Sequence, residues 1–84
     1  MEITGKNRII KFMASHADSR KALTAWIADA ERENWQTPQD IKNLYRSVDF
    51  LADNRAIFNI RGNKYRLVVQ IRYINGIIRI EWIG

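Results

Sequence analysis

The sequence predicts an α+β fold in which N-terminal helices pack on one face of a small antiparallel sheet. Three observations carry that expectation. Apolar residues recur at helical spacing as far as about residue 45, and from Arg55 onward the period becomes two while the composition shifts to Ile, Val, Tyr and Phe. Two turn signals, Gly62-Asn63 and Asn75-Gly76, divide that second stretch into three strands. With 84 residues and no linker, repeat or low-complexity stretch, the chain is sized for a single domain over 1–84.

Ile3 and its neighbours suit a short first strand. Residues 6–16 set Ile9, Ile10, Phe12 and Met13 on one side of a short amphipathic helix. From Asp18 or Ser19 to about Asn34, the residues Leu23, Trp26, Ile27 and Ala30 fall at i, i+3, i+4 and i+7, a buried stripe among charges. Thr37-Pro38-Gln39-Asp40 reads as a helix start: a capping hydroxyl, proline at the first helical position, and a carboxylate near the positive end of the dipole. A helix from there to about Tyr45 would bury Ile41, Leu44 and Tyr45.

The strands can be placed in register. A two-residue Asn75-Gly76 loop pairs Tyr73 with Ile78, Ile71 with Ile80 and Val69 with Trp82 on the core face, and sets Arg72 against Arg79, Gln70 against Glu81 and Val68 against Ile83 on the other. A two-residue Gly62-Asn63 loop pairs Phe58 with Leu67 and Ile60 with Tyr65 toward the core, with Asn59 facing Arg66 and Arg61 facing Lys64 outside. Both turns assign the central strand the same core face. A slip of one residue would invert every side chain, so the agreement supports a three-stranded meander.

The formal charge of +5 is concentrated at one end. Residues 1–54 hold eight basic and eight acidic side chains, whereas residues 55–84 hold Arg55, Arg61, Lys64, Arg66, Arg72 and Arg79 against Glu81 alone. The drawn register puts all of these on the outer face, around an apolar row of Ile57, Val68 and Ile83. Arg72 opposite Arg79 costs a few tenths to about 1 kcal/mol unless an anion lies between them. A solvated sheet face is ordinarily polar, and cations there also protect edges. The excess of arginine, whose guanidinium fork binds phosphate at two points, favours a nucleic-acid backbone instead. Direct DNA reading is disfavoured because no helix shows the basic excess of a recognition helix.

Other chemistries are excluded by composition. There is no cysteine, so disulfides, thiol catalysis and cysteine-containing zinc sites fail, and the single histidine, His16, cannot by itself build a metal site or a Ser/His/Asp triad, so no metal is expected. No apolar run reaches the ~18 residues of a membrane span and no signal peptide opens the chain, so the expectation is a soluble cytoplasmic protein. His16 falls at a helix end, where a surface or capping role fits better than catalysis. Trp26, Trp35 and Trp82 read as packing residues. Tyr65 and Tyr73 point to the core face, and Glu81 is most simply an ion-pair partner for a neighbouring arginine.

The run Trp35-Gln36-Thr37-Pro38-Gln39-Asp40-Ile41-Lys42, then Tyr45-Arg46-Ser47, and above all Phe58-Asn59-Ile60-Arg61-Gly62-Asn63-Lys64-Tyr65-Arg66-Leu67-Val68, resembles the HigB toxins of bacterial type II toxin-antitoxin systems, within the wider RelE-like superfamily. The resemblance covers nearly the whole chain. It implies a small helix-on-sheet fold and ribosome-dependent cleavage of mRNA without cofactor or metal. In that chemistry the ribose 2′-hydroxyl attacks the adjacent phosphate while protein cations stabilise the phosphorane. It also implies a helix-turn-helix antitoxin as partner, through which alone the toxin meets DNA, and no membrane.

By motif position the resemblance singles out Asn59, Asn63, Lys64 and Arg66. Arg66 would clamp phosphate, Lys64 would serve as second cation or proton donor, and Gly62 and Asn63 would shape the turn. Arg66, Lys64 and Asn63 are thus the catalytic candidates. Asn59, with Arg55, Arg61, Arg72 and Arg79 added from sheet geometry, forms the RNA-binding set. Members of the family typically continue past the last strand with a segment that begins Thr-His and contains Glu-Tyr-Asp, whereas this sequence ends at Trp82-Ile83-Gly84. The alternative reading is therefore a truncated or catalytically impaired homologue that binds RNA, the ribosome or the antitoxin without cutting.

Overall fold

A computed structural model describes all 84 residues. The elements follow in the order β1 (Glu2–Thr4), α1 (Lys6–Ser15), a 3-10 turn (Ala17–Ser19), α2 (Arg20–Arg32), α3 (Pro38–Leu44), β2 (Asp49–Leu51), β3 (Arg55–Ile60), β4 (Tyr65–Arg72) and β5 (Ile77–Ile83). The strands form one sheet ordered β1-β5-β4-β3-β2, antiparallel except that β1 runs parallel to β5. The expected meander is its centre, extended by an edge strand on each side. Asp49–Leu51 escaped the sequence reading because three residues, all exposed, show no alternation.

Helices form where the apolar spacing places them. In α2, Leu23, Trp26 and Ala30 are fully buried and Ile27 packs partly against the same core. In α1 only Ile9 is fully buried; Phe12 and Met13 pack partly, and Ile10 points to solvent, about 100° of helical rotation away from Ile9. The start of α3 is a capping box. Thr37 Oγ1 accepts from the Asp40 amide at 3.3 Å, while Asp40 Oδ2 accepts from the Thr37 amide at 3.2 Å. Ile41 is buried, Leu44 is exposed instead of buried, and the half-buried Tyr45 lies edge-on to Phe58 while its hydroxyl donates to Asp29 at 2.5 Å. Trp26 and Trp35 also meet Phe58, with ring centroids 5.3 and 6.2 Å away. These contacts tie the helical layer to the middle of the sheet.

The core face is Ala56, Phe58 and Ile60 from β3, Leu67, Val69 and Ile71 from β4, and Ile78 and Ile80 from β5, all buried. The β3–β4 register is the one expected, with Phe58 opposite Leu67, Asn59 opposite Arg66 and Ile60 opposite Tyr65.

The β4–β5 register is corrected twice. The connection is a four-residue loop, 73–76, which shifts the pairing by two: Arg72 lies opposite Ile77, and Arg79 opposite Gln70. A shift of two keeps every face, so the core survived the error while the Arg72–Arg79 opposition did not. A bulge beside Val68/Val69 then sets Val68 against Trp82 and Leu67 against Ile83. The extra residue, Glu81, reverses the alternation beyond it. Trp82, expected in the core, is 53% exposed, and Ile83, expected outside, packs partly against the core.

The tight passage from β1 into α1 depends on Gly5. Its φ is +82°, and a Cβ there would lie 3.3 Å from the Ile80 carbonyl oxygen. Gly5→Ala is expected to lose about 1–2 kcal/mol of unfolding free energy through left-handed strain and crowding of β5. Urea denaturation would read it as a lower midpoint at unchanged slope.

Candidate nucleic-acid interface

Side chains alternate along β4, so Arg66, Val68, Gln70 and Arg72 stand on the face away from the helices. Register with the neighbours converts this into rows across the sheet. One runs Leu51, Arg55, Gln70, Arg79 and Thr4; the next Asp49, Ile57, Val68 and Trp82; the third Asn59 and Arg66, closed by paired backbone hydrogen bonds between Arg66 and Gly84 at 2.9 and 3.1 Å. The apolar row exists, with Trp82 in the place expected for Ile83.

The edge strands also correct the charge of this face. Glu81 is not its sole carboxylate, because β1 adds Glu2 beside Ile77 and β2 adds Asp49 beside Ile57. Four arginines, Arg55, Arg66, Arg72 and Arg79, therefore stand with three carboxylates at its margins. Arg79 pairs with Glu81 at 3.0 Å, the partnership expected for Glu81. Arg55 Nε donates to the Ala52 carbonyl at 3.2 Å. Arg66 and Arg72 are exposed and make no ion pair.

Arg61 and Lys64, drawn on the same face, are turned away from it. Arg61 has φ +53° and Gly62 +65°, and the Lys64 amide donates to the Arg61 carbonyl at 3.2 Å, so the tip of the hairpin curls left-handed. Both cations then close on Asp18 in the 3-10 turn, Arg61 Nη1 at 2.7 Å and Lys64 Nζ at 2.5 Å from Oδ2. Tyr65 donates its hydroxyl to Oδ1 of the same carboxylate at 2.7 Å. Hydrogen bonds from Lys64 and Tyr65, with the charges of Lys64 and Arg61, hold the Asp18 carboxyl down at about 2. The same contacts raise Lys64 above the ordinary lysine value and Tyr65 above the ordinary phenol value, so Lys64 stays a cation and Tyr65 a neutral donor at pH 7. No spacing in the sequence linked Asp18 to these residues, 43 to 47 positions away.

His16 caps α1 with its backbone amide donating to the Phe12 carbonyl at 2.9 Å, and its ring stacks on Phe12 at 3.9 Å with Tyr65 edge-on at 5.5 Å. The structure thus brings Asn59 and Arg66 together and separates Lys64 from both. Asn63 is exposed on the hairpin tip, and Arg55, Arg72 and Arg79 spread over the far part of the outer face.

The profile of the HigB toxin family, described as the RelE-like toxic component of a toxin-antitoxin system, matches residues 19–84. The chain belongs to that family. A search of curated proteins found no significant match. Membership makes the chain a toxin with an antitoxin as its partner, and three helices on one face of a five-stranded mixed sheet agree with a RelE-like fold. No helix of the toxin is long and apolar enough to cross a membrane.

The depressed Asp18 carboxyl predicts a pH signature. Its folded value lies below that of the unfolded chain, about 4, so the stabilisation it supplies is full above pH ~4 and is lost as the pH falls through about 2. The stability gap between the native chain and Asp18→Asn should therefore be constant at neutral pH and close on acidification across that window. Thermal melts at stepped pH read it directly, and a gap that persists at pH 2 would assign the acid sensitivity elsewhere.

Proposed function

We propose that this toxin cleaves mRNA on the ribosome, with Arg66 as the phosphate clamp of a metal-free reaction. The observation that carries this reading is that Arg66 is exposed on the open sheet face, free of any carboxylate, and directly across from Asn59. A guanidinium in that position offers two parallel donors to a phosphate, and the Asn59 amide can hold the neighbouring ribose or base. In the reaction the 2′-oxygen bonds to phosphorus, the bond from phosphorus to the 5′-oxygen breaks, and the products are a cyclic 2′,3′-phosphate and a 5′-hydroxyl. A base takes the 2′ proton and an acid returns one to the leaving oxygen. Arg66 stabilises the added negative charge of the phosphorane, a contribution largest where the donor is already in position.

Lys64 is kept protonated by its pairing with Asp18, and to serve as a second cation it exchanges that carboxylate for a phosphate oxygen. Asn63 supports the hairpin tip, and Arg55, Arg72 and Arg79 guide the flanking RNA backbone. The reaction belongs in the cytoplasm, where translating ribosomes are, and a helix-turn-helix antitoxin would neutralise it.

One observation favours the second reading, binding without cutting. No carboxylate or imidazole side chain shares the row of Asn59 and Arg66, and Glu81 is held by Arg79. The two readings part in a translation extract supplied with purified toxin. Cleavage of the mRNA, reduced about 100-fold or more by Arg66→Ala and partly kept by Arg66→Lys, supports the first. Full cleavage by Arg66→Ala removes Arg66 from the reaction. Salt-sensitive RNA binding with no cleavage at any toxin concentration selects the second.

A further inference from the structure

The charge of the chain is not confined to its last strands. Within α1, Lys6, Arg8 and Lys11 stand with no acidic residue, a cationic helix hidden in the sequence by the carboxylates of α2 and α3. Helix α1 packs on β5, and β1 pairs only with Ile77, Ile78 and Arg79, so the C-terminal half of β5 is flanked by the helix rather than by a strand. Between them lies an open groove of about 410 Å³, whose walls include Arg8, Lys11, Phe12, Ser15, His16 and Trp82 and no carboxylate.

Trp82 is there because of the bulge at Glu81. Its indole is more than half exposed yet seated, since a Cβ on Gly84 would come within 2.5 Å of the ring. Arg8 and Lys11 project into solvent, three residues apart on one helix face, and Arg8 spends one donor on the Glu81 carbonyl at 3.1 Å. Gly84, against the indole, is hydrogen-bonded through its backbone to Arg66, so the groove adjoins the Asn59–Arg66 row. An aromatic face, two exposed cations and walls without an acidic side chain match a single-stranded nucleotide: the base stacks, the phosphates meet the cations. Arg8 and Lys11 lie outside the residues matched by the family profile.

We propose that the groove between α1 and the C-terminal half of β5 holds one nucleotide of single-stranded RNA, its base stacked on Trp82 and its phosphates on Arg8 and Lys11. This rests on the RNA reading above and extends the RNA path off the sheet face.

Tryptophan emission tests it, because Trp26 and Trp35 are 0% and 2% exposed and acrylamide reaches Trp82 alone. The full chain is titrated with a single-stranded RNA octamer, with binding followed in parallel by polarisation of an end label. Expected is loss of the quenchable fraction on RNA addition, at least a 5-fold weaker octamer affinity for Trp82→Leu, and a salt slope shallower by about 1.4 for the doubly substituted Arg8→Gln, Lys11→Gln chain, at ~0.7 per phosphate contact. Those helix positions are exposed, so the double variant keeps the test open should Trp82→Leu unfold. Octamer binding that leaves Trp82 fully quenchable, or an unchanged salt slope, overturns the groove and leaves mRNA cleavage standing. Equal protection by poly-L-glutamate overturns base stacking in favour of a plain anion or acidic-protein site. Protection by RNA in a chain that cleaves no mRNA in the translation extract keeps the groove and removes the catalytic reading. A chain that binds no octamer at low salt overturns the groove.

Discussion

Strand β4 is the constraint on which the rest of this molecule rests. It is bonded on both sides, its inward residues Leu67, Val69 and Ile71 are fully buried, and its outward residues Arg66, Gln70 and Arg72 are the polar centre of the opposite face. Core and outer face are therefore two halves of one alternation, and neither can shift without the other. Three fully buried aliphatic side chains contribute about 1.5–3 kcal/mol each relative to exposure. A one-residue slip would forfeit that and drive arginine into the layer of Trp26, Trp35 and Phe58. The register is held by burial, and Arg66 is held outward by the register.

Electrostatics then sort the cations that the register exposes. Close carboxylates remove cations from the pool available to an anionic ligand: Glu81 takes Arg79, and Asp18 takes Arg61 and Lys64 together. Exposed pairs of this kind contribute little to stability. Their effect is on availability, since a phosphate must displace a carboxylate before it meets those side chains. Arg66 and Arg72 carry no such competition. The Asp18 cluster does mechanical work as well, because it ties the tip of the β3–β4 hairpin, through Tyr65 and its edge contact with Phe12, to the helical layer.

Much of this was legible in the residues. The β3–β4 pairing followed from alternation alone, and the start of α3 from Thr37, Pro38 and Asp40. The β4–β5 loop was drawn two residues too short because Asn75-Gly76 is also compatible with the end of a four-residue turn, and parity protected the face assignment from the mistake. Nothing local announced the bulge, which falls where β5 has left its pairing with β1 and has α1 beside it. The halves-of-the-chain view of charge was the weaker reading. It balanced Arg8 and Lys11 against carboxylates that fold onto other elements, and it missed Glu2 and Asp49 at the sheet margins. Counting by helix, with Arg8, Lys11 and Ser15 at i, i+3 and i+7, would have found the cationic face of α1.

The position of Trp82 follows from the same bulge. An unbulged β5 would turn it inward onto the core, where a further indole exceeds what so thin a layer accepts without displacement. Placing one extra residue at Glu81 admits the smaller Ile83 instead and sets the indole outside, at the loss of much of its transfer free energy, on the order of 1–3 kcal/mol. A fold indifferent to that site would be better served by a polar residue there. The indole is seated against Gly84, between Arg66 on the sheet and Arg8 and Lys11 on α1. It is the one indole that the fold leaves exposed, and the bulge is what presents it.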